Sequence, residues 1–303
     1  MSSISAKIPS VLSAINARLK TETEMPSKVR KIDPNLHLGL HELANSGEGR
    51  ARPDGLFRFQ LKFAKEQTED ILSNLDNLIK NTIDKAPERN KDFCLGRMTN
   101  PSLTHEEDKW EREMYRKWGP KGSGDYVSVC KRIQAYQYPL QASRKDKKWG
   151  KIDLLGIGTD FLPVPNELKK RKTNESPLRM LVEVAAYGFA IRKVWPNLKG
   201  DWVKAVHWLE NSPSQLPATL NRLTLVGVAP EEYWFRCLGP QAGAFPSEAW
   251  GPFWELVDAL AKWFDIRFVT VKGNWDDARG PAITDAQVLD LRSLTQNPGD
   301  GHS

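Results

Sequence analysis

The stretch that decides the fold is WGKIDLLGIGTDFLPVPNELKKRK, residues 149–172. It holds two apolar runs joined by the short link TDFL, a pattern that predicts a β-hairpin. Asp153 lies inside the first run, and Glu167 and Lys169 lie at the end of the second. Charged side chains in strands that otherwise look buried are costly unless they are partnered, so these three residues need a reason.

Strand geometry predicts that Asp153 and Glu167 lie opposite each other. Pairing them centres the turn on Asp160, where the turn-forming residues fall, and opposes Ile157 to Pro163. A bulge in the turn would shift this register. Opposed carboxylates have Cβ atoms roughly 5 Å apart, which is unfavourable unless a cation lies between them or one is protonated. The alternative is a hairpin whose charges lie on a solvated face, with Asp153 paired to a lysine.

A divalent cation would satisfy this pair of acids. Mg²⁺, or Mn²⁺ in its place, prefers carboxylate, carbonyl and water oxygens, so the metal ligands predicted here are Asp153, Glu167 and the carbonyl of Leu168. Lys169 shares a strand face with Glu167, because residues two apart point the same way. Lys169 is thus placed to orient or deprotonate a metal-bound water, or to neutralise charge that develops on a phosphoryl group.

The same residues resemble the core of the PD-(D/E)XK nuclease superfamily, which includes restriction enzymes and RecB-type nucleases. That family carries Asp on one strand and Glu-x-Lys on the next, and Asp153, Glu167 and Lys169 match these positions. RecB-type members also carry Gln-x-x-x-Tyr on the following helix, where this chain has Glu183 and Tyr187. The resemblance implies that Glu183, a glutamate in place of glutamine, positions DNA. It also implies that Tyr187 orients Lys169 or the strand.

The first helix of that family often supplies a further acidic metal ligand. Glu113 is the candidate in this chain, on a helix predicted over residues 102–119. Other acids on the same segment are rivals for the role: Glu106, Glu107 and Glu111. A second Glu-x-Lys, at 107–109, falls inside this helix, so the Glu-x-Lys motif alone is not specific. The resemblance depends on finding the motif together with the two strands, the turn and the helix that follows.

The order of elements predicts an α/β fold. From residue 102 onward the patterns give helix, three strands, helix, strand, helix, strand, and the family core of helix, three strands, helix, strand covers about 102–230. Ser176 and Pro177 predict the start of the second helix. The resemblance implies a restriction-endonuclease-like mixed sheet flanked by helices. We expect three parts: an N-terminal mainly helical region (1–90), a nuclease domain (91–295) and a disordered tail (296–303).

Composition bounds the class of protein. The chain has 303 residues, a net charge of +6 and three cysteines without metal-ligand spacing, which favours a reducing, cytoplasmic compartment. No apolar stretch reaches the ~18 to 20 residues that span a bilayer, so we expect no membrane partner. For residues 1–90 the sequence leaves three roles open: forming a homodimer, reading DNA or binding a protein partner.

Basic residues at both ends of the hairpin predict a nucleic-acid partner, with DNA favoured over RNA. Lys and Arg contacts to phosphates supply most of the non-specific affinity for nucleic acid. The candidates are Lys147, Lys148, Lys151, Lys170, Arg171 and Lys172. The competing class is a non-catalytic nucleic-acid-binding or interaction protein that reuses the fold, since a fold does not fix a function.

Overall fold

A computed structural model describes most of the chain. The described residues are 38–44, 59, 61–87, 105–140, 149–173, 175–240, 244–276 and 280–296. Lys147, Lys148, the predicted tail beyond residue 296 and the proposed domain boundary near residue 90 lie outside these ranges.

The centre of the molecule is a six-stranded mixed sheet whose spatial order follows the chain, from β1 to β6. Its strands are β1 (Cys130–Pro139), β2 (Lys151–Gly158), β3 (Pro163–Leu168), β4 (Leu223–Pro230), β5 (Phe264–Asp276) and β6 (Gly280–Leu289). Neighbouring strands are antiparallel except for the central pairs β3–β4 and β4–β5, which are parallel. The predicted α/β class with a mixed sheet is confirmed.

Helices cover both faces of this sheet. They are α1 (Leu40–Ala44), α2 (Ala64–Ser73), α3 (Leu75–Lys85), α4 (Glu106–Trp118), α5 (Pro177–Val206), α6 (Glu231–Leu238), α7 (Trp250–Leu260) and α8 (Leu291–Gln296). None of the helices among the described residues has the length and apolar character needed to cross a membrane.

The alternation of side chains along the strands divides the core into two layers. On one face, Leu154, Val226 and Val269 pack in the same cluster as Trp110 and Met114 of α4. On the other face, a larger cluster joins the residues at the neighbouring positions, Leu155, Leu225 and Phe268, to the apolar stripe of α5. The sheet therefore has α4 on one side and α5 on the other.

Helix α5 begins where the sequence predicts. The Ser176 hydroxyl accepts a hydrogen bond from the backbone N–H of Arg179, and Pro177 occupies the first helical position. A Cβ added at Gly188 would lie 2.7 Å from the ring of Phe264, so glycine lets the helix approach the sheet closely. The close approach at Gly188 sets the distance between the N-terminal half of α5 and the sheet.

The described N-terminal helices share the core of the sheet. Helices α1 and α3 pack against α5, and α2 packs against α7. Lys193 of α5 donates from Nζ to the carbonyl of Ala86, 2.8 Å away, just past the end of α3. Trp149, just before β2, donates from its indole to the carbonyl of Lys85, 3.1 Å away, and stacks on His41. The end of α3 is therefore hydrogen-bonded to α5 and to the residue just before β2.

Candidate active site

The predicted hairpin register is found in the structure. Ile157 pairs with Pro163 in the β2–β3 ladder, and the ladder runs without a shift to the pair Leu154–Asn166. Asp153 and Glu167 are the next residue on each strand, directly beyond that last pair. Asp153 Oδ2 accepts a hydrogen bond of 2.8 Å from the backbone N–H of Leu168. The two acids therefore lie together at one end of the hairpin.

Three carboxylates surround the ammonium group of Lys169. Glu167 Oε1 and Glu175 Oε2 each lie 2.6 Å from Nζ, and Glu183 Oε2 also contacts it. Lys169 is only 3% exposed and Glu167 only 4% exposed. The alternative of a solvated charged face is therefore wrong for these two residues. An ammonium has three N–H donors, so the number of carboxylates matches its hydrogen-bonding capacity.

Arg179 completes a network of alternating charge. Its Nη1 lies 2.7 Å from Glu175 Oε1, and its Nε lies 3.1 Å from Glu183 Oε1. Each of these glutamates thus bridges Lys169 and Arg179. Residues 175, 179 and 183 follow each other at intervals of four, which is the spacing that aligns side chains along one helical face.

The network sets the ionisation of its members. Burial on its own would lower the pKa of Lys169, but the charges of Glu167, Glu183 and Glu175 outweigh it and raise that pKa well above its usual range. Burial likewise opposes ionisation of Glu183, yet Lys169 and Arg179 hold its pKa below the ordinary value. Lys169 and Glu183 are therefore both charged at neutral pH.

Asp153 and Glu167 show the opposite behaviour. Burial raises the pKa of Asp153 to about 7, and the charge of Glu107 adds to the effect against the opposing charge of Lys169. Burial also raises the pKa of Glu167 well above its usual range, reinforced by the charges of Asp153 and Glu183. These two acids are the pair for which the protein supplies too little positive charge.

Tyr187 lies one helical turn beyond Glu183 on α5 and is half-buried. Burial raises the pKa of its phenol well above the usual range, and the charges of Glu167, Glu183 and Asp153 add to this rise. The hydroxyl is therefore neutral and lies within the electrostatic reach of the acids. The structure brings Asp153, Glu167, Glu183 and Tyr187 into one neighbourhood around Lys169.

Helix α4 brings a different acid to the site from the one predicted. Glu107 and Glu111 lie one turn apart on this helix, and both have raised pKa values. The charge of Glu107 also raises the pKa of Asp153. Burial, followed by the charge of Asp153, raises the pKa of Glu111 to about 10. Glu113 instead pairs with Arg116, 2.7 Å away, and lines a separate cleft beside Lys117. The rivals Glu107 and Glu111, rather than Glu113, interact with Asp153.

Two buried carboxylate oxygens in this region accept no hydrogen bond: Glu167 Oε2 and Glu111 Oε2. The Glu167 and Glu183 carboxyl groups lie close enough to share a proton, which raises the pKa of Glu167 and lowers that of Glu183. Buried polar atoms are normally satisfied, so each needs an explanation such as a bound ion or water. No group of three or more His, Cys, Asp or Glu side chains in the described part of the chain has a ready-made arrangement for a metal ion. The acids that could hold a cation are those with an orphaned oxygen or a raised pKa: Asp153, Glu167 and Glu111.

The predicted nucleic-acid contacts differ in their surroundings. Lys151 is exposed and lies 3.2 Å from Gln137, while Lys170 is half-buried and Lys172 is exposed. Arg171 is held in place, because its backbone and guanidinium both donate to Glu106 and its guanidinium lies 4.3 Å above the ring of Trp275. Glu183 is committed to Lys169 and Arg179. Lys151 and Lys172 are the predicted contacts that the structure leaves exposed.

Comparison with known proteins adds no relative to this picture. No family model matches the chain, and no curated protein or solved structure gives a significant match.

The raised pKa values predict an unusual pH dependence of stability in the absence of divalent ions. Between the ordinary carboxyl values of about 4 and the values in the folded protein, about 7 for Asp153 and about 10 for Glu111, the folded state binds more protons than the unfolded state. Their contribution to stability is therefore full below about pH 4 and is lost as pH rises through the folded values.

Urea unfolding in EDTA from about pH 4 to pH 9 measures this dependence. We expect the fall in unfolding free energy with rising pH to be smaller for Asp153→Asn than for the wild type, because the variant lacks the buried carboxyl whose pKa is raised. Identical pH profiles for the two proteins would contradict the assignment of Asp153.

Proposed function

We propose that the protein is a metal-dependent nuclease that hydrolyses phosphodiester bonds of DNA, with Mg²⁺ or Mn²⁺ held by Asp153 and Glu167. The observation that carries the proposal is the state of the Glu167 carboxylate. One of its oxygens bonds Lys169, and the other is buried with no partner beside a second acid whose pKa is raised. A cation held by Asp153 and Glu167 would remove both costs.

The balance of charge supports a divalent ion. Lys169 and Arg179 carry two positive charges, and the two glutamates that bridge them, Glu175 and Glu183, carry two negative charges. Asp153 and Glu167 remain without a matching positive charge, because Glu167 shares Lys169 with those two glutamates. When both are ionised they carry two negative charges. A divalent ion supplies the matching charge, and carboxylate oxygens are the ligands that Mg²⁺ prefers.

The set of donors fits a hard cation. Asp153 and Glu167 provide carboxylate oxygens, and the carbonyl of Leu168 lies between the two functional side chains in the sequence. Helix α4 adds Glu107 and Glu111, and the unpartnered Oε2 of Glu111 makes it the stronger supporting ligand. We therefore propose Glu111, with Glu107, in the place that the sequence suggested for Glu113.

A bound divalent ion would activate a water and stabilise charge on the phosphoryl group. Lys169 acts as a fixed cation rather than as a base, because the surrounding carboxylates hold its pKa well above the usual range. Glu183 and Arg179 position Lys169, and this assigns Glu183 a supporting role instead of a direct contact with DNA. Tyr187 supports the same network from the next turn of α5.

The architecture and the charge distribution support the same proposal. Helix α4, strands β1 to β3, helix α5 and strand β4 follow the order of the nuclease core that the sequence resembles, with two antiparallel pairings and then a parallel one. The basic residues Lys151, Lys170 and Lys172 lie next to the hairpin that carries the acids. These lysines are suited to contact the phosphates of DNA.

The second candidate is a non-catalytic protein that binds nucleic acid with this fold. It is favoured by the crowding of Lys169, whose ammonium already faces three carboxylates. In that case the charged cluster would stabilise the fold and take no part in chemistry.

Digestion of plasmid and single-stranded DNA separates the two candidates. We expect cleavage with Mg²⁺ or Mn²⁺ and none in EDTA, because the acids need the cation to form the site. Binding of DNA without any metal-dependent cleavage would favour the non-catalytic protein. RNA of the same sequence, tested in parallel, establishes the class of nucleic acid.

A further inference from the structure

We propose that Lys169 and Arg179 form a cradle for a phosphate oxyanion, and that the carboxylate of Glu175 occupies this cradle in the free protein. The proposal rests on the proposed function, since the oxyanion would belong to a phosphodiester of the nucleic-acid substrate. It adds a phosphate-binding residue, Arg179, and an internal competitor, Glu175, to the site.

The geometry of Glu175 is that of a bridging anion. Its Oε2 lies 2.6 Å from Lys169 Nζ, and its Oε1 lies 2.7 Å from Arg179 Nη1. One carboxylate thus spans two cations with its two oxygens. Arginine is suited to bidentate recognition of both carboxylate and phosphate, so the groups that hold Glu175 are also suited to hold a phosphodiester.

Lys169 has no vacant direction while Glu175 is in place. Three carboxylates contact its ammonium, and a substrate oxygen can approach only if one of them leaves. A phosphodiester carries a single negative charge, as a carboxylate does. Exchange of Glu175 for a phosphodiester therefore leaves the charge balance around Lys169 and Arg179 unchanged.

Glu175 is the carboxylate that is free to leave. Its side chain is 25% exposed, against 10% for Glu183 and 5% for Glu167. Glu183 belongs to α5 and Glu167 to β3, whereas Glu175 precedes the helix by two residues. An outward rotation of the Glu175 side chain needs no movement of either element.

The backbone of Glu175 is fixed on both sides. Its N–H donates to the Thr173 hydroxyl over 3.2 Å, and its carbonyl accepts from the Tyr233 hydroxyl over 3.2 Å. A side chain that rotates about a fixed backbone returns to the same place when the ligand leaves. The arrangement therefore suits a reversible internal competitor.

Competition of this kind lowers the apparent affinity for the external anion. The apparent dissociation constant equals the intrinsic one divided by the fraction of molecules in which the cradle is open. If Glu175 fills the cradle about nine-tenths of the time, removing its charge strengthens anion binding about tenfold.

The test is the binding of a short DNA oligonucleotide and of inorganic phosphate in EDTA, where no metal-dependent cleavage can occur. We expect Glu175→Gln to bind both about tenfold more tightly than the wild type. Glu175→Asp keeps the charge but shortens the side chain, so we expect it to bind with intermediate affinity. In the Arg179→Lys background the gain from Glu175→Gln should disappear, because lysine lacks the fork that contacts two anions.

Glu210→Gln is the matched control. It removes the same charge from an exposed residue beyond the far end of α5, ~45 Å from its start at 1.5 Å per residue. Glu175→Gln binding no more tightly than Glu210→Gln would overturn the cradle, even if the protein cleaves DNA. If Glu175→Gln binds more tightly but the wild-type protein does not cleave DNA in Mg²⁺, the result would support the cradle and overturn the proposed nuclease. Urea unfolding of each variant verifies that it is folded.

Discussion

Glu167→Gln is expected to abolish metal-dependent cleavage, by on the order of a thousandfold, while leaving the metal-free protein at least as stable as the wild type. The loss of rate follows from removal of a charged ligand whose field acts on the reacting phosphate. We expect the stability to be retained because burial and the charges of Asp153 and Glu183 raise the pKa of Glu167 and so favour its neutral form. A neutral amide of the same shape removes the repulsion from Asp153 and Glu183.

Rates of plasmid cleavage and urea unfolding in EDTA measure the two effects separately. Glu113→Gln is the control, because Glu113 lies on α4 but pairs with Arg116 rather than with Asp153. We expect its cleavage rate to stay close to that of the wild type. Wild-type cleavage by Glu167→Gln would refute the site, and loss of cleavage by Glu113→Gln alone would restore the first assignment of the α4 ligand.

Lys169→Met is expected to lower the free energy of unfolding by about 3–5 kcal/mol, the usual cost of leaving buried charges without their partner. Lys169 is 3% exposed, so solvent does not screen the loss. In this variant Arg179 still contacts Glu175 and Glu183. Glu167 loses its contact with a cation. Cleavage should be lost as well, since the fixed positive charge disappears.

Urea unfolding at several pH values measures this loss. The difference between the wild type and Lys169→Met should narrow in acid, because protonation neutralises the carboxylates that lysine had compensated. Lys204→Met is the control, since Lys204 is 82% exposed and lies 3.5 Å from Asp201. Exposed pairs contribute at most about 1 kcal/mol. An equal loss for the two variants would show that the network does not stabilise the fold.

The hairpin site was predictable because strand geometry has a strict period of two. Once the turn is centred on Asp160, the partners of Asp153 and Ile157 follow without further information. The helix that carries Glu183 was predictable from Ser176, Pro177 and its apolar stripe. The charged residues 175, 179 and 183, of which 175 precedes the helix, follow an interval of four, but no link between this set and Lys169 was predicted.

The acid from α4 was predictable from the helical period, although Glu113 was the first choice. Trp110, Met114 and Trp118 lie on the buried face of the helix, and Glu111 is buried with them. At 100° per residue, Glu107 and Glu111 lie within about 60° of the centre of that face, whereas Glu113 lies about 100° from it. The period therefore favours Glu107 and Glu111, and the packing of α4 on the sheet then brings this face towards Asp153.

Three elements after residue 230 were missed, and one of them, α8, is a helix of only six residues. Strand β6 is an edge strand with many exposed positions, so it lacks a clear apolar pattern. Helix α6 has eight residues and follows β4 directly, where the strand pattern hides its start. The N-terminal region, predicted to be mainly helical, has two helices, α2 and α3, that meet at Asn74, whose side chain donates to the carbonyl of Asp70.

The fastening of α3 by Lys193 and Trp149 makes residue 90 a poor place to cut the chain. A fragment that starts there would lose α1 to α3 and expose the apolar side of α5 that those helices cover. Because α5 also carries Arg179 and Glu183, the loss of its cover would reach the charged network. The described N-terminal helices therefore support the layer that carries the charged network, and a fragment used to test the proposed chemistry should retain α1 to α3.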